Sequence, residues 1–227
     1  MEPEAGWGAA AAVADHALLA PGEDQELASL GGFFRTLYAV LFRPGEFFEN
    51  LGREGWAGPT AFALIVSSVG LLGALFWQFL VLAPGGENLG DINALLPFQG
   101  LGPGLLLALM AATPVLVLDN LGVGGICWWG SVALVGGGRD FTPAWRVFCY
   151  AQAGMALGLI PFFGLLVAGI WVLALMYCGV RQFYGFSGGA SLGTLALYLE
   201  LQVLLALILL LGLAGILAGL GFLLLLG

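Results

Sequence analysis

Long runs of apolar residues, separated by short polar or breaker-rich segments, dominate the chain from residue 59 onward. About 20 consecutive apolar residues suffice for a helix to cross the ~30 Å hydrocarbon core of a bilayer. The pattern therefore predicts five membrane-spanning helices, at residues 59–82, 103–135, 143–160, 162–181 and 192–226. The third and fourth come from one uncharged run, 147–180, which Pro161 and Gly164 divide into two shorter spans.

A different pattern precedes the spans. Between residues 27 and 42 apolar residues recur every three or four positions, which is typical of an amphipathic helix lying in the membrane interface. Pro44 begins a second short helix, since proline suits a first helical turn. Residues 27–54 are therefore predicted to be interfacial amphipathic helices. Their expected membrane anchors are Phe33, Phe34, Phe47, Phe48 and Trp56.

Residues 1–26 differ from both regions. They carry six acidic residues, no arginine and no apolar periodicity, so we expect a disordered cytoplasmic tail that can recruit a partner protein. The apolar stretch 9–20 is interrupted by Asp15 and His16 and follows no positive charge, which argues against a cleaved signal peptide.

Composition supports a membrane fold. Hydrophobic residues make up 60% of the 227 positions and charged residues 9%, more apolar surface than a soluble domain of this size can bury. The predicted fold class is an all-α integral membrane protein. Its five-helix transmembrane bundle occupies residues 55–227 and follows the interfacial helices.

The arginines predict the orientation. If 103–135 crosses once, all six arginines lie on the N-terminal side, which the positive-inside rule makes cytoplasmic. A double crossing there would place Arg139, Arg146 and Arg181 outside, so one crossing is favoured. A straight helix of that length would be about 50 Å long. Tilt, a kink at Pro114 or an interfacial stretch at 103–118 would absorb the excess.

Several short motifs follow one another in a characteristic order. Pro44-x-x-Phe47-Phe48-x-x-Leu51 precedes the first span. The second half carries Gly136-Gly137, Phe141, Tyr150-Ala151-Gln152, Ile160-Pro161 with Gly164, Trp171, Gly179-x-Arg181 and Tyr184-Gly185-x-Ser187-x-x-Ala190. Over residues 33–226 this set resembles the Yip-domain family (Ypt/Rab-interacting proteins), and specifically its bacterial branch.

The resemblance implies a five-span membrane domain with a cytosolic N-terminus, and its bacterial branch implies the bacterial cytoplasmic membrane. Five spans that start from a cytoplasmic N-terminus put the C-terminus outside. Eukaryotic members are associated with vesicle traffic and small GTPases. This chain lacks their Asp-Leu-Tyr-Gly-Pro-type motif, so GTPase binding is not carried over. For the bacterial branch the resemblance implies no biochemical activity.

Six polar residues near or within the spans form the candidate intramembrane site: Asp119, Asn120, Arg146, Tyr150, Arg181 and Glu200. A carboxylate at mid-membrane costs about 2.5–3.5 kcal/mol on insertion scales, so Asp119 either faces a partner or a cavity or marks a break at the outer interface. Glu200 either pairs with Arg146 or Arg181 or takes part in a proton relay. Arg146 is interpreted as a surface arginine that reaches the lipid headgroups.

The tryptophan and glycine patterns are interpreted as structural features. Trp128, Trp129 and Trp145 are expected to anchor helices at the interface. Gly154-x-x-x-Gly158 allows two helices to approach closely, either within one chain or between two copies. The pattern thus leaves a homo-oligomer open.

The sequence offers no cluster of residues typical of catalysis or cofactor binding. The single histidine lies in the acidic tail, the three cysteines are scattered through apolar runs, and there is no P-loop motif. No metal, no other cofactor and no nucleic-acid partner is predicted. The main hypothesis is a non-enzymatic membrane-organising or protein-assembly module in the lipid bilayer. The alternatives are a small transporter using Asp119 and Glu200, and, with least support, a lipid-acting enzyme.

Overall fold

Every regular element among the described residues, 29–82, 103–136, 138 and 140–226, is a helix in this computed structural model. The acidic segment 1–26, Gly137 and Arg139 lie outside the described residues. The helices are α1 (Leu30–Phe42), α2 (Pro44–Glu49), α3 (Ala57–Leu82), α4 (Pro103–Val135), α5 (Phe141–Ala151), a 3-10 helix η1 (Gln152–Leu159), α6 (Gly164–Phe183) and α7 (Gly188–Leu226).

The two helices before the first span begin at residues that favour the start of a helix. The hydroxyl of Ser29 accepts a hydrogen bond from the backbone N–H of Gly32 at 3.0 Å, which caps α1. Arg43 ends α1, and Pro44 occupies the first turn of α2, where its missing N–H leaves no helical hydrogen bond unmade.

Among the described residues, four helices are long and apolar enough to cross a membrane: α3, α4, α6 and α7. The prediction of an all-helical protein with several membrane spans is confirmed to this extent. The five-helix bundle is not, because the third predicted span, 143–160, consists of α5 followed directly by η1 and contains no single long α-helix.

The α5–η1 pair lies beside α3 and runs in the same direction. At its beginning the indole N–H of Trp145 donates to the hydroxyl of Thr60 at 2.7 Å. At its end the carbonyl of Leu159 accepts from the indole N–H of Trp77 at 3.0 Å. A 3-10 helix rises about 2.0 Å per residue against 1.5 Å for an α-helix, so the pair extends over roughly 32 Å.

Glycines hold η1 against its two neighbours. Gly158 lies directly against the backbone of Gly70 in α3, so a Cβ on Gly158 would collide with the Gly70 carbonyl. On Gly154 a Cβ would come within 2.8 Å of the backbone nitrogen of Val172 in α6. The two glycines of the Gly154-x-x-x-Gly158 motif therefore make their close contacts inside one chain.

The hairpin of α4 and α5 explains the unusual length of α4. Gly125 packs under the ring of Trp145, at the level of Thr60 near the start of α3. The ten residues from there to Val135 extend about 15 Å past that level. The extra length of α4 thus lies at its C-terminal end.

Trp128, in this part of α4, is fully buried. Its ring packs inside the protein at 5.8 Å from the ring of Tyr198, so it does not serve as an interface anchor.

A Gly158→Ala substitution is expected to destabilise the protein by about 1–3 kcal/mol, because the new methyl group meets rigid backbone. The matched control is Gly169→Ala in α6, where a Cβ meets nothing within 4 Å and alanine is the better helix former. Thermal unfolding of the detergent-solubilised protein measures the difference. A melting temperature of the Gly158 variant equal to that of the control would contradict the backbone contact.

Candidate functional site

Phe47 and Phe48 join the helices that precede the first span to the bundle. We call residues 29–56 the pre-span unit. Both rings are 0% exposed, with that of Phe47 5.0 Å from the ring of Tyr150 and that of Phe48 beside Gly179. These two phenylalanines are therefore core residues and not the membrane anchors expected from the sequence. The reason is that α2 packs directly onto α6, so its apolar side faces protein and not lipid.

Arg146 fixes the loop that follows α2. The residue is 8% exposed, and its Nη1 donates to the backbone carbonyls of Glu54 and of Gly55, the latter at 2.7 Å. The ring of Tyr150, one turn further along α5, lies 6.0 Å from the guanidinium carbon, within cation–π range. Arg146 thus binds protein carbonyls and does not reach the headgroups. We call Phe47, Phe48, Tyr150 and Arg146 the lock.

The lock continues into a small polar pocket on the same end of the bundle. The guanidinium of Arg53 stacks 5.4 Å from the ring centroid of Phe183. Arg53, Asp140 and Tyr184 line a pocket of about 210 Å³. Burial raises the pKa of the Tyr184 phenol to about 12, so this hydroxyl remains protonated at neutral pH. Nothing in the local sequence around Arg53 or Asp140 predicts that these two residues come together.

The outer side of α1 carries an exposed apolar row at a spacing of four residues. Leu30, Phe34, Tyr38 and Phe42 are 79%, 62%, 58% and 68% exposed. We call these four residues the α1 stripe. The opposite side of the helix buries Ala39 and Val40 against the protein. The stripe is an apolar surface of the kind that contacts lipid or a partner.

The five predicted anchors therefore divide into two groups. Phe34 and Trp56 are exposed at 62% and 64%, as an anchor requires. Phe33 is half-buried, with its ring 5.3 Å from that of Phe62 in α3, and it lines an apolar groove of about 470 Å³ between α1, α3 and η1. The pre-span unit thus packs along the first turns of α3 and presents only part of its aromatic surface outward.

The polar residues predicted inside the spans are not brought together. Asp119 lies 16 residues from each end of α4, with Asn120 beside it, and both side chains are exposed on its outer side. Glu200 is exposed on α7 and Arg181 on α6. Among the described residues no ion pair joins Glu200 to an arginine, and neither described pocket includes either carboxylate. Arg146 and Tyr150 are the two candidate residues that the fold places in contact.

The described part of the chain offers no donor set for a metal ion. It contains no group of three or more His, Cys, Asp or Glu side chains close enough to hold one. The three cysteines are free thiols.

Comparison with known proteins gives one match. The family model described as Yip1 domain matches residues 38–211, which include α2, the lock and all four long apolar helices up to the middle of α7. No curated protein and no solved structure shows significant similarity to the chain. The match covers well over half of the sequence and agrees with the helix order and the motifs. The chain therefore belongs to the Yip1 domain family of membrane proteins.

Proposed function

We propose that this protein is a non-enzymatic membrane-organising or assembly module that acts through the α1 stripe. The observation that carries the proposal is a combination: four large apolar side chains of α1 are exposed, with Leu30 and Phe34 also lining the apolar groove, while the lock fixes the same unit to the bundle. Such an element presents a defined apolar surface to the inner leaflet or to a partner protein, and the acidic segment 1–26 is the proposed recruiter of soluble partners.

The proposed role fits the described residues better than transport or catalysis. A transporter using Asp119 and Glu200 needs a shared polar cavity, and both described pockets lie elsewhere. A lipid-acting enzyme needs a nucleophile beside a base. The lock instead consists of an arginine bound to carbonyls and three aromatic rings, which suits a structural role. The Yip1 domain family is not known as an enzyme family, in agreement with this proposal.

We further propose five crossings of a bacterial cytoplasmic membrane, with the N-terminus cytoplasmic and the C-terminus outside. The α5–η1 pair runs parallel to α3 and is about as long as the hydrocarbon core is thick, which supports it as the fifth crossing. Arg53, Arg146 and Arg181 lie at one end of the bundle, where Gly179 of α6 meets Phe48 and Val147. That cluster supports a cytoplasmic assignment for this end.

Replacing Phe34 and Tyr38 together by serine is expected to reduce the proteins and lipids that co-purify with the chain at least several-fold. The reason is that a fully buried apolar side chain contributes roughly 1.5–3 kcal/mol. The measurement is quantitative mass spectrometry of the protein extracted from its own membrane in mild detergent.

The matched control replaces Leu166 and Ile170 of α6 by serine, two side chains that are 67% and 61% exposed. This control is expected to leave the co-purification profile unchanged. Equal profiles for wild type and both double variants would overturn the proposed role of the stripe.

Single cysteines at positions 140, 163 and 187, in a variant whose three native cysteines are replaced, test the five crossings. Phe163→Cys, in the turn after η1, is expected to react with a membrane-impermeant maleimide in intact cells. Asp140→Cys and Ser187→Cys are expected to react only after the membrane is opened. Protection of position 163 together with the other two would mean that α5–η1 does not cross.

A further inference from the structure

The small polar pocket beside the lock is built from the ends of three segments that are distant in the sequence. Arg53 belongs to the loop between α2 and α3, Asp140 is the residue before α5, and Tyr184 follows the last residue of α6. The pocket thus lies where the pre-span unit meets the bundle.

The lining of the pocket includes one positive and one negative charge. The guanidinium of Arg53 lies over the ring of Phe183, 5.4 Å from its centroid, so part of its approach is fixed. The side chains of Arg53 and Asp140 are both exposed and therefore accessible. Between these two described residues the structure shows no ion pair, although both line the same pocket. A ligand in the pocket can therefore meet the guanidinium with an anionic group and the carboxylate with a cationic one.

Tyr184 adds a hydrogen-bond donor to the lining. Its ring lies 5.0 Å from that of Phe183 and 5.7 Å from that of Phe186. Because burial raises the pKa of its phenol to about 12, the hydroxyl keeps its proton at neutral pH. A guanidinium and a hydroxyl are donors that suit a phosphate, and a carboxylate suits an ammonium group that donates hydrogen bonds.

The pocket lies at the depth of the lipid headgroups. Thr60 stands at the start of the uncharged run 59–82 and is hydrogen-bonded to Trp145, so the hydrocarbon core begins near the level of these two residues. Asp140 precedes Trp145 by five residues, which places it about 7 Å further from the membrane centre. The headgroup layer on each side of a bilayer is roughly 5–8 Å thick. The pocket is therefore at the depth of the polar part of a lipid and not of its acyl chains.

The size of the pocket also suits a headgroup. Its volume of about 210 Å³ is several times the roughly 30 Å³ that one water molecule occupies in the liquid. It is smaller than the clefts of roughly 300–1,000 Å³ that hold whole drug-sized ligands. The pocket can thus hold a headgroup whose acyl chains remain in the bilayer.

We propose that this pocket binds the headgroup of a phospholipid of the phosphatidylethanolamine type, with Arg53 and Tyr184 holding its phosphate and Asp140 holding its ammonium group. The primary ammonium of this headgroup donates hydrogen bonds to a carboxylate, whereas the quaternary ammonium of a choline headgroup has no N–H to donate. A phosphatidylglycerol headgroup has no cation for Asp140, so its phosphate would meet the carboxylate only with repulsion. The bound headgroup joins the pre-span unit to the ends of α5 and α6.

This lipid site goes beyond the proposed role of the α1 stripe, because the pocket and the stripe share no residue. Substitutions at Phe34 and Tyr38 are expected to leave the lipid preference of the pocket unchanged. Failure of one proposal is thus distinguishable from failure of the other.

Native mass spectrometry of the full-length protein in a non-ionic detergent measures the lipid preference. The protein is titrated separately with short-chain phosphatidylethanolamine, phosphatidylglycerol and phosphatidylcholine. The wild type is expected to bind phosphatidylethanolamine roughly five-fold or more tightly than either of the other lipids. Equal affinities for the three lipids, or tighter binding of either of the others, would overturn the proposal. Binding of water-soluble glycerophosphoethanolamine as tightly as the lipid would also overturn it, because the ligand would then be a soluble molecule.

Two substitutions in the pocket separate the roles of its charges. Asp140→Asn removes the partner of the ammonium group and is expected to abolish the preference for phosphatidylethanolamine over phosphatidylglycerol. Arg53→Gln removes the partner of the phosphate and is expected to weaken binding of both lipids roughly five-fold or more. The matched controls Glu49→Gln and Arg181→Gln remove exposed charges that do not line the pocket, and they are expected to keep the wild-type preference. A wild-type preference in Asp140→Asn, or its loss in the controls as well, would contradict the proposal.

Discussion

The guanidinium of Arg146 is the group on which the arrangement of the pre-span unit depends. A buried arginine is tolerated only where acceptors surround it, since an unpaired buried charge is strongly unfavourable. Here the acceptors are the carbonyls of Glu54 and Gly55, which belong to the loop between α2 and α3. The two hydrogen bonds from Nη1 therefore fix that loop, whereas the Nε of Arg146 is buried without a hydrogen-bond partner. Phe47 and Phe48 then bury their rings beside Tyr150 and Gly179.

The glycine contacts of η1 fix the position of α5, the helix that carries Arg146. At Gly158 the backbone of η1 lies against Gly70 of α3, and at Gly154 it lies against Val172 of α6. These contacts hold α5 in register with α3. Arg146 is on α5, so the register of η1 decides where the lock forms. The α1 stripe stays exposed in this arrangement and is available for association.

The sequence predicted the features that depend on local pattern, and it missed those that depend on tertiary contacts. Apolar runs and the Pro44 signal located the helices, and ordered motifs identified the family. Periodicity could not distinguish burial in protein from contact with lipid, so Phe47 and Phe48 were predicted as anchors although they are core residues. Arg146 was assigned to headgroups for the same reason, since its acceptors lie about ninety positions away in the chain. The 3-10 helix had no local signal beyond its glycines.

Hydrogen exchange of the loop at residues 50–56 tests the lock most directly. Arg146→Met keeps an unbranched apolar side chain of comparable length but removes both hydrogen bonds to the loop carbonyls. If the lock holds the loop, residues 50–56 exchange much faster in Arg146→Met than in the wild type. The control Arg181→Met removes an exposed arginine near the same end of the bundle and is expected to leave exchange of the loop unchanged. Equal protection of the loop in wild type and in both variants would contradict the account.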